Sequence, residues 1–279
     1  MFFILAPQKT LPLSDHTIRV MKRILTIALA CSTLCFTSCA ALLQMSQDGT
    51  LAAAIGSATP VSNQENINGL KSALDLGIDK AVSLLSQENG FYSDQLLKIV
   101  LPEEAQVIVK NLKYIPNGEA LLEKAVLSLN RAAEDAVKEA KPIFKDAIKN
   151  MSITDAAGIL FGADNAATTY LRNNTYSALV SAFTPKVSAS LQKPLVASIS
   201  TSETWNTLTS TYNTVANSMV GQMASLKPVN VSLESYVTGK ALDALFNKIA
   251  VEEKAIRTNP KERASAILQR VFGQLDNKR

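Results

Sequence analysis

The chain has 279 residues, of which 47% are apolar and 19% carry a charge. These proportions are typical of a folded globular chain and exclude a disordered or fibrous one. Its 28 basic and 24 acidic residues give a formal net charge of +4 at pH 7, and its one histidine and three cysteines all lie within the first 39 residues.

The first part of the chain is typical of an export signal. From Met21 it reads Met-Lys-Arg, continues without a charge to Phe36, and reaches small residues before Cys39. A short basic head, an apolar run and a small-residue exit are the parts of a secretory signal peptide. We therefore predict a signal peptide over residues 21–38, with Met21 as the true start and residues 1–20 as an annotation overrun.

Cys39 is the predicted site of lipid attachment. The residues from Phe36 to Cys39 resemble a bacterial lipobox, which implies that the cysteine is diacylated, the chain is cut before it and the new amine is acylated. Two or three acyl chains hold a protein on a membrane far better than one, and residues 39–62 would then be a lipidated tether. Three alternatives stay open: a lipobox at Cys31, ordinary cleavage that releases a soluble protein, and an uncleaved anchor, since residues 24–47 carry no charge.

Loss of residues 1–38 would remove several kinds of function. It takes away four basic residues and one acidic residue, so the mature chain has a net charge of about +1 and no basic field for nucleic acid. It also takes away His16, Cys31 and Cys35. Zinc, copper and haem sites draw on histidine and cysteine, and so do Ser-His-Asp and Cys-His nucleophiles. We therefore expect no metal, no cofactor, no disulfide and no catalysis of that kind.

The rest of the chain predicts helices in succession. They share an apolar spacing of three and four residues and are bounded by prolines, glycines and capping residues. The predicted helices begin at Asn63 and at Pro142, and run from Pro102 to about Leu112, Glu119 to Lys138, Ala156 to Phe161, Asp164 toward Phe183, Thr201 to Leu226, Ser232 through Ile249 and Pro260 to Phe272.

Local signals add detail to this all-α prediction. Gly162 suits a left-handed helix stop, while Asp164 and Ser232 are predicted N-caps. No segment shows the alternation of a strand, so we predict a single multi-helix domain over residues 63–273 and a tail over residues 274–279.

Several short motifs within these helices resemble one family. They are Asn130–Glu134, Ala140–Pro142, Met151–Ala156, Leu160–Asp164, Ala166–Thr168, Tyr236–Thr238, Lys240–Asp243, Ala250–Arg257 and Asn259–Pro260. In this order they resemble the bacterial secreted family called domain of unknown function 4197, over roughly Gly69 to Gly273. The resemblance implies an exported helical protein. It implies no known activity and no catalytic residues.

Five polar residues form the candidate binding cluster: Asn130, Arg131, Glu134, Lys141 and Arg172. The first four lie within about three helical turns, where Arg131 could act as a fork donor to a carboxylate or another anion. The alternative is a solvated face held by i,i+4 pairs, Arg131–Asp135 and Glu134–Lys138. Arg172 belongs to the helix that opens after Gly162, and helix N-termini bind anions, although Asp164 already occupies that positive end.

Three functional hypotheses follow from these features. The first is a non-enzymatic lipoprotein on the periplasmic face of the envelope that binds a protein or another envelope component. Because no aspartate directly follows Cys39, the resemblance to enteric lipoprotein sorting favours the outer membrane. The second is a carrier of a lipid or other apolar ligand between helices, along the face from Trp205 to Met219, which otherwise belongs to the core. The third, disfavoured, is a hydrolase that uses a carboxylate pair such as Glu134 and Asp155.

Overall fold

The computed structural model describes residues 60–278, which fold into helices joined by turns. Within this range no β-strand forms, and the bridge between Val196 and Ile199 belongs to a turn. The all-α prediction is therefore confirmed. The predicted signal peptide over residues 21–38, the acylated Cys39 and nearly all of the tether lie outside the described residues.

The described residues contain ten α-helices, which we label in chain order. They are α1 Asn63–Leu85, α2 Gln106–Lys110, α3 Gly118–Ala136, α4 Ala140–Asn150, α5 Ala156–Leu160, α6 Ala166–Gln192, α7 Thr201–Ala216, α8 Met219–Met223, α9 Leu233–Thr258 and α10 Ala266–Phe272. Short 3-10 helices cover Glu103–Ala105, Leu112–Tyr114, Val137–Glu139, Pro260–Glu262 and Gly273–Lys278.

Helices α1 and α9 lie at the centre of the core. Helix α9 packs on α1 and α6, while α1 also contacts α4, α5 and α10, and α3 packs on α6 and α7. The apolar spacing predicted for this helix is confirmed, because Leu70, Leu74 and Ile78, four residues apart, are completely buried. Gly77 permits the close approach of α9, since a Cβ there would lie 3.0 Å from Cγ2 of Ile249.

The segment after Pro102 is less regular than predicted. Instead of one helix to about Leu112, it forms a 3-10 turn, the five-residue α2 and a second 3-10 turn. Asn111 explains why α2 ends early. Its side-chain amide donates to the Val107 carbonyl at 2.8 Å, and its backbone N–H turns to the Ile108 carbonyl at 3.1 Å, which tightens the helix into a 3-10 form.

The start of α6 is capped from a distant helix, so the prediction of an Asp164 cap is wrong. Asp164 pairs with Lys254 at 3.4 Å. The first turn of α6 instead donates to Glu253 of α9, through the backbone N–H groups of Ala167 at 2.9 Å and Thr168 at 2.7 Å and the hydroxyl of Thr168 at 2.6 Å. The helix also runs past Phe183 to Gln192.

Arg257 continues this connection to the end of α5. It donates to the Leu160 carbonyl at 2.6 Å, to the Ile159 carbonyl at 3.1 Å and to Glu253 at 2.9 Å. The side chains of Glu253 and Arg257 are 1% and 2% exposed. One buried ion pair on α9 thus supplies acceptors to the N-terminus of α6 and donors to the C-terminus of α5.

At two other helix ends the boundary lies where predicted, but the local geometry differs. Gly162 is not left-handed: its N–H bonds to the Ile159 carbonyl at 3.2 Å in a tight turn. A Cβ on Gly162 would lie 2.9 Å from the Gly158 carbonyl oxygen, which accounts for a glycine at this position. Ser232 precedes α9, but its hydroxyl donates to Glu234 rather than accepting from the helix backbone.

The C-terminal end also differs from the predicted tail. Residues after Gly273 form a 3-10 helix, and Arg263 donates to both carboxylate oxygens of Asp276, at 2.6 and 2.8 Å. Pro260 begins a 3-10 turn, and it is Ser265 that caps α10.

The central ion pair gives a stability prediction. We expect Glu253→Gln to lower the free energy of unfolding by about 3–5 kcal/mol, because it leaves the buried Arg257 without its counter-charge. The matched control is Asp164→Asn on the half-exposed Asp164–Lys254 pair, which should cost under about 0.5 kcal/mol. Urea unfolding of both variants measures the difference, and equal losses would contradict the assigned capping role.

Candidate functional site

The predicted polar cluster separates into three places in the structure. Asn130, Arg131 and Glu134 lie together on α3 and contact the segment between α1 and α2. Lys141 lies on α4 and pairs with Asp79 at 3.0 Å. Arg172 lies on α6 and belongs to neither group.

Asn130 fixes the segment after α1 by bonding to both backbone groups of Ile99, as a neighbouring β-strand would. Its Oδ1 accepts from the Ile99 N–H at 2.9 Å and its Nδ2 donates to the Ile99 carbonyl at 2.7 Å. Both groups are buried, where an unpaired backbone group would be costly. The sequence placed this asparagine in an alanine-rich helix but could not show that its partner lies 31 residues earlier.

Glu134 is buried and is not part of a solvated face. One carboxylate oxygen accepts from the backbone N–H groups of Phe91 at 3.1 Å and Tyr92 at 3.4 Å, and the other accepts from Arg131 at 2.6 Å. Arg131 also donates to Glu88 and to Asn89, both at 3.0 Å. These side chains clamp the end of α1 and the following turn onto α3.

The predicted i,i+4 pairs on α3 are wrong. Arg131 pairs with Glu134, and Lys138 pairs with Asp135, each at a spacing of three. Asp135 also accepts from Lys193 at 2.5 Å and from Ser190 at 2.8 Å. The pairing joins α3 to the end of α6, which the i,i+4 rule alone could not reveal.

A cleft of about 300 Å³ lies beside this clamp. It is lined by Ser86, Glu88, Arg131, Glu134, Asp135, Lys138 and Leu195. The basic groups in the lining already face carboxylates: Arg131 faces Glu88 and Glu134, and Lys138 faces Asp135. The geometry therefore accounts for these residues as a structural clamp and gives little support to an anion site.

Arg172 is fixed by a carboxylate and two aromatic rings. It donates to Asp243 at 2.5 Å, and its guanidinium lies 4.7 Å from the ring centre of Tyr176 and 5.1 Å from that of Phe246. Stacking on two aromatic rings and pairing with a carboxylate are ordinary means of fixing an arginine between two helices, here α6 and α9.

The face from Trp205 to Met219 is not a ligand cavity. Trp205 and Tyr212 are buried, as the core interpretation predicts. Their polar atoms donate to the Val231 carbonyl at 3.3 Å and the Lys227 carbonyl at 3.1 Å, and burial raises the pKa of Tyr212. Met219 is exposed instead of buried, because the chain breaks after α7 and Ser218 caps a separate helix, α8.

A larger groove, which the sequence did not predict, lies between α4 and α6. Its volume is about 690 Å³. The lining residues are Ile143, Asp146, Ala147, Asn150, Met151, Ser152, Thr154, Tyr170, Asn174, Thr175, Ala178, Leu179 and Ala182. Because α4 and α6 face each other with alanines at Ala147, Ala178 and Ala182, the two helices leave space between them.

The groove has an apolar floor and a polar rim with few charges. Met151 and Leu179 are buried at its base, while Asn150 and Asn174 are exposed at its edge. Among the lining residues Asp146 alone carries a charge. The positions on α6 recur every four residues from Tyr170 to Ala182, a signal visible in the sequence once α6 is known to face α4.

The two carboxylates of the hydrolase hypothesis, Glu134 and Asp155, each have a structural role. Asp155 accepts from the Gly158 N–H at 2.7 Å and caps α5, whereas Glu134 belongs to the clamp on α3. Across residues 60–278 we find no group of three or more metal-ligating side chains. In the same range, no helix combines the length and apolar character needed to cross a membrane.

Comparison with known proteins gives one family. A family model described as "Protein of unknown function (DUF4197)" matches residues 60–273. No curated protein and no solved structure matches the chain.

The pairing of Asp135 with the end of α6 gives a pH prediction. Burial acts to raise the pKa of Asp135, but hydrogen bonds from Lys193, Ser190 and Lys138 outweigh it and hold that pKa below its ordinary value of 3.8. A carboxyl whose pKa is lower in the folded state adds stability above its unfolded pKa and loses that contribution as the pH falls.

We therefore expect Asp135→Asn to cost about 1–3 kcal/mol of unfolding free energy at pH 6. The difference from the parent protein should shrink as the pH falls below about 4. Urea unfolding across that range measures it, with the exposed Asp146→Asn as a control that should change by under about 0.5 kcal/mol. A difference that is constant with pH would contradict the assigned pairing.

Proposed function

We propose that this chain, which belongs to the DUF4197 family of proteins of unknown function, is a non-enzymatic binding protein anchored by acyl chains to the bacterial envelope. Its proposed ligand is an amphipathic segment of an envelope protein, whose apolar side enters the groove. The observation that carries the proposal is the groove between α4 and α6, with its apolar floor and a polar rim whose one charged side chain is Asp146.

The composition of the groove suits a peptide segment. An apolar floor around Met151 and Leu179 can bury the apolar side chains of a partner, as in helix-in-groove recognition. Neutral donors and acceptors at Asn150, Ser152 and Asn174 line its edge and can bond to main-chain groups of a bound segment. A few convergent polar groups around an apolar surface are typical of sites that orient a ligand.

The groove favours a protein segment over a carried lipid. It is an open cleft along two helices, so one side of a bound acyl chain would stay in water, at a cost of roughly 25 cal/mol per Å² of apolar surface left exposed. An amphipathic segment has a polar side that can remain solvated. The face from Trp205 to Met219, proposed above for a carrier, is packed into the core except at Met219.

Anchoring at Cys39 would place this groove in the envelope. The proposal follows from the lipobox-like Phe36–Cys39 behind a basic and apolar leader. Since no aspartate directly follows Cys39, we propose the periplasmic face of the outer membrane as its location.

Two neighbouring asparagines give a matched test of the groove. Asn173 and Asn174 are both exposed on α6, but Asn174 lines the groove and Asn173 does not. We expect a photoreactive phenylalanine analogue at position 174 to form a specific adduct in intact cells, detected by immunoblotting and mass spectrometry. The same analogue at position 173 should form little or none.

Filling the groove provides the control for this crosslink. Ala182→Trp should occupy the space between α4 and α6 and abolish the adduct from position 174. Ala189→Trp, at an exposed position of α6 outside the groove, should leave it unchanged. Equal adducts from positions 173 and 174, or an adduct that survives Ala182→Trp, would rule out the groove as the binding site.

The anchor has its own test. We expect Cys39→Ser to move the protein from the membrane fraction to the soluble periplasmic fraction, because the acyl chains are lost. Detergent phase separation and intact mass report the outcome. A Cys39→Ser protein that stays in the detergent-rich phase although its intact mass shows that the leader has been removed is not held there by acylation.

A further inference from the structure

Helix α8 presents a compact group of exposed apolar side chains. Met219, Val220 and Met223 are 80%, 63% and 82% exposed, although all three belong to one five-residue helix that packs on α7. Single exposed apolar residues are common on protein surfaces, whereas larger contiguous apolar patches mark protein or membrane interaction sites. We refer to these three side chains as the tip.

The sequence around the tip is almost without charge. Residues 204–233 contain no aspartate or glutamate, and Lys227 is their one formal charge at pH 7. Lys227 is exposed and follows the tip by four residues. Anionic lipids repel carboxylates and attract lysine near the membrane surface, so this charge pattern is complementary to an anionic bilayer.

Five hydroxyl groups from Thr207 to Ser218 are already paired with main-chain carbonyls of α7. Each donates to a main-chain carbonyl three or four residues earlier: Thr207 to Glu203, Thr209 to Trp205, Thr211 to Thr207, Thr214 to Ser210 and Ser218 to Val215. Such bonds reduce the cost of moving hydroxyls out of bulk water. A polar protein interface would instead use these donors across the contact.

We propose that the tip contacts the surface of a lipid bilayer. The three apolar side chains enter the boundary between headgroups and acyl chains, and Lys227 faces headgroup phosphates. The proposal rests on the proposed function in one respect, because the acyl anchor at Cys39 keeps the tip beside the membrane. It gives the serine-rich and threonine-rich segment from α7 to Lys227 a role that the groove does not.

Fluorescence quenching tests this contact in the mature protein, after removal of the signal peptide and acylation. We would introduce Met223→Trp and reconstitute the protein into vesicles of phosphatidylethanolamine and phosphatidylglycerol whose acyl chains carry bromine. The one native tryptophan, Trp205, is buried and its emission in the parent protein is subtracted. Emission from position 223 should fall by roughly half or more, as expected for an indole at the lipid interface.

Leu96→Trp is the matched control, since Leu96 is a 92% exposed apolar residue in a different segment. Its emission should not be quenched. Quenching at position 223 alone supports the contact, whereas quenching at both positions or at neither overturns it. Vesicle flotation reports anchoring separately, because it follows total protein and not the position of the probe. A failed anchor can therefore be distinguished from a failed tip.

Discussion

The buried ion pair between Glu253 and Arg257 connects the ends of three helices. Bringing two charges out of water is costly, and their mutual attraction offsets that cost only when the remaining polar atoms are also paired. Here the partners are the first N–H groups of α6 and the last carbonyls of α5. The pair is therefore satisfied only when α5, α6 and α9 meet in this register. Two of these helices, α6 and α9, contribute much of the core.

The clamp on α3 also uses buried side chains to bond to backbone groups, in this case those of a segment with little regular structure. Asn130 and Glu134 provide buried acceptors for backbone N–H groups at Ile99, Phe91 and Tyr92. A connection of this kind would otherwise have to stay at the surface, because its main-chain groups lack helical partners. In both places polar side chains of a well-formed helix replace the hydrogen bonds that a less regular neighbour cannot make for itself.

Helices were predictable because their signals are local, whereas these partnerships were not. The apolar spacing from Leu70 to Leu85 acts within a few residues. Glu253 lies 85 and 86 residues from the N–H groups that it caps, so the nearby Asp164 was the natural but wrong choice. The groove was missed for a related reason. Its alanines become a cavity only when α4 and α6 face each other, and sequence spacing cannot show which helices meet.

The division between paired charges and neutral surfaces has a consequence for recognition. Arg131, Glu134, Asp135 and Arg172 all take part in contacts that hold helices together. The groove has a single charged lining residue, and the tip has one lysine beside it. Recognition by such surfaces depends on apolar area and shape, which salt screens far less than it screens exposed charges. Under the proposed function, the groove would bind its segment and the tip its bilayer with little dependence on ionic strength.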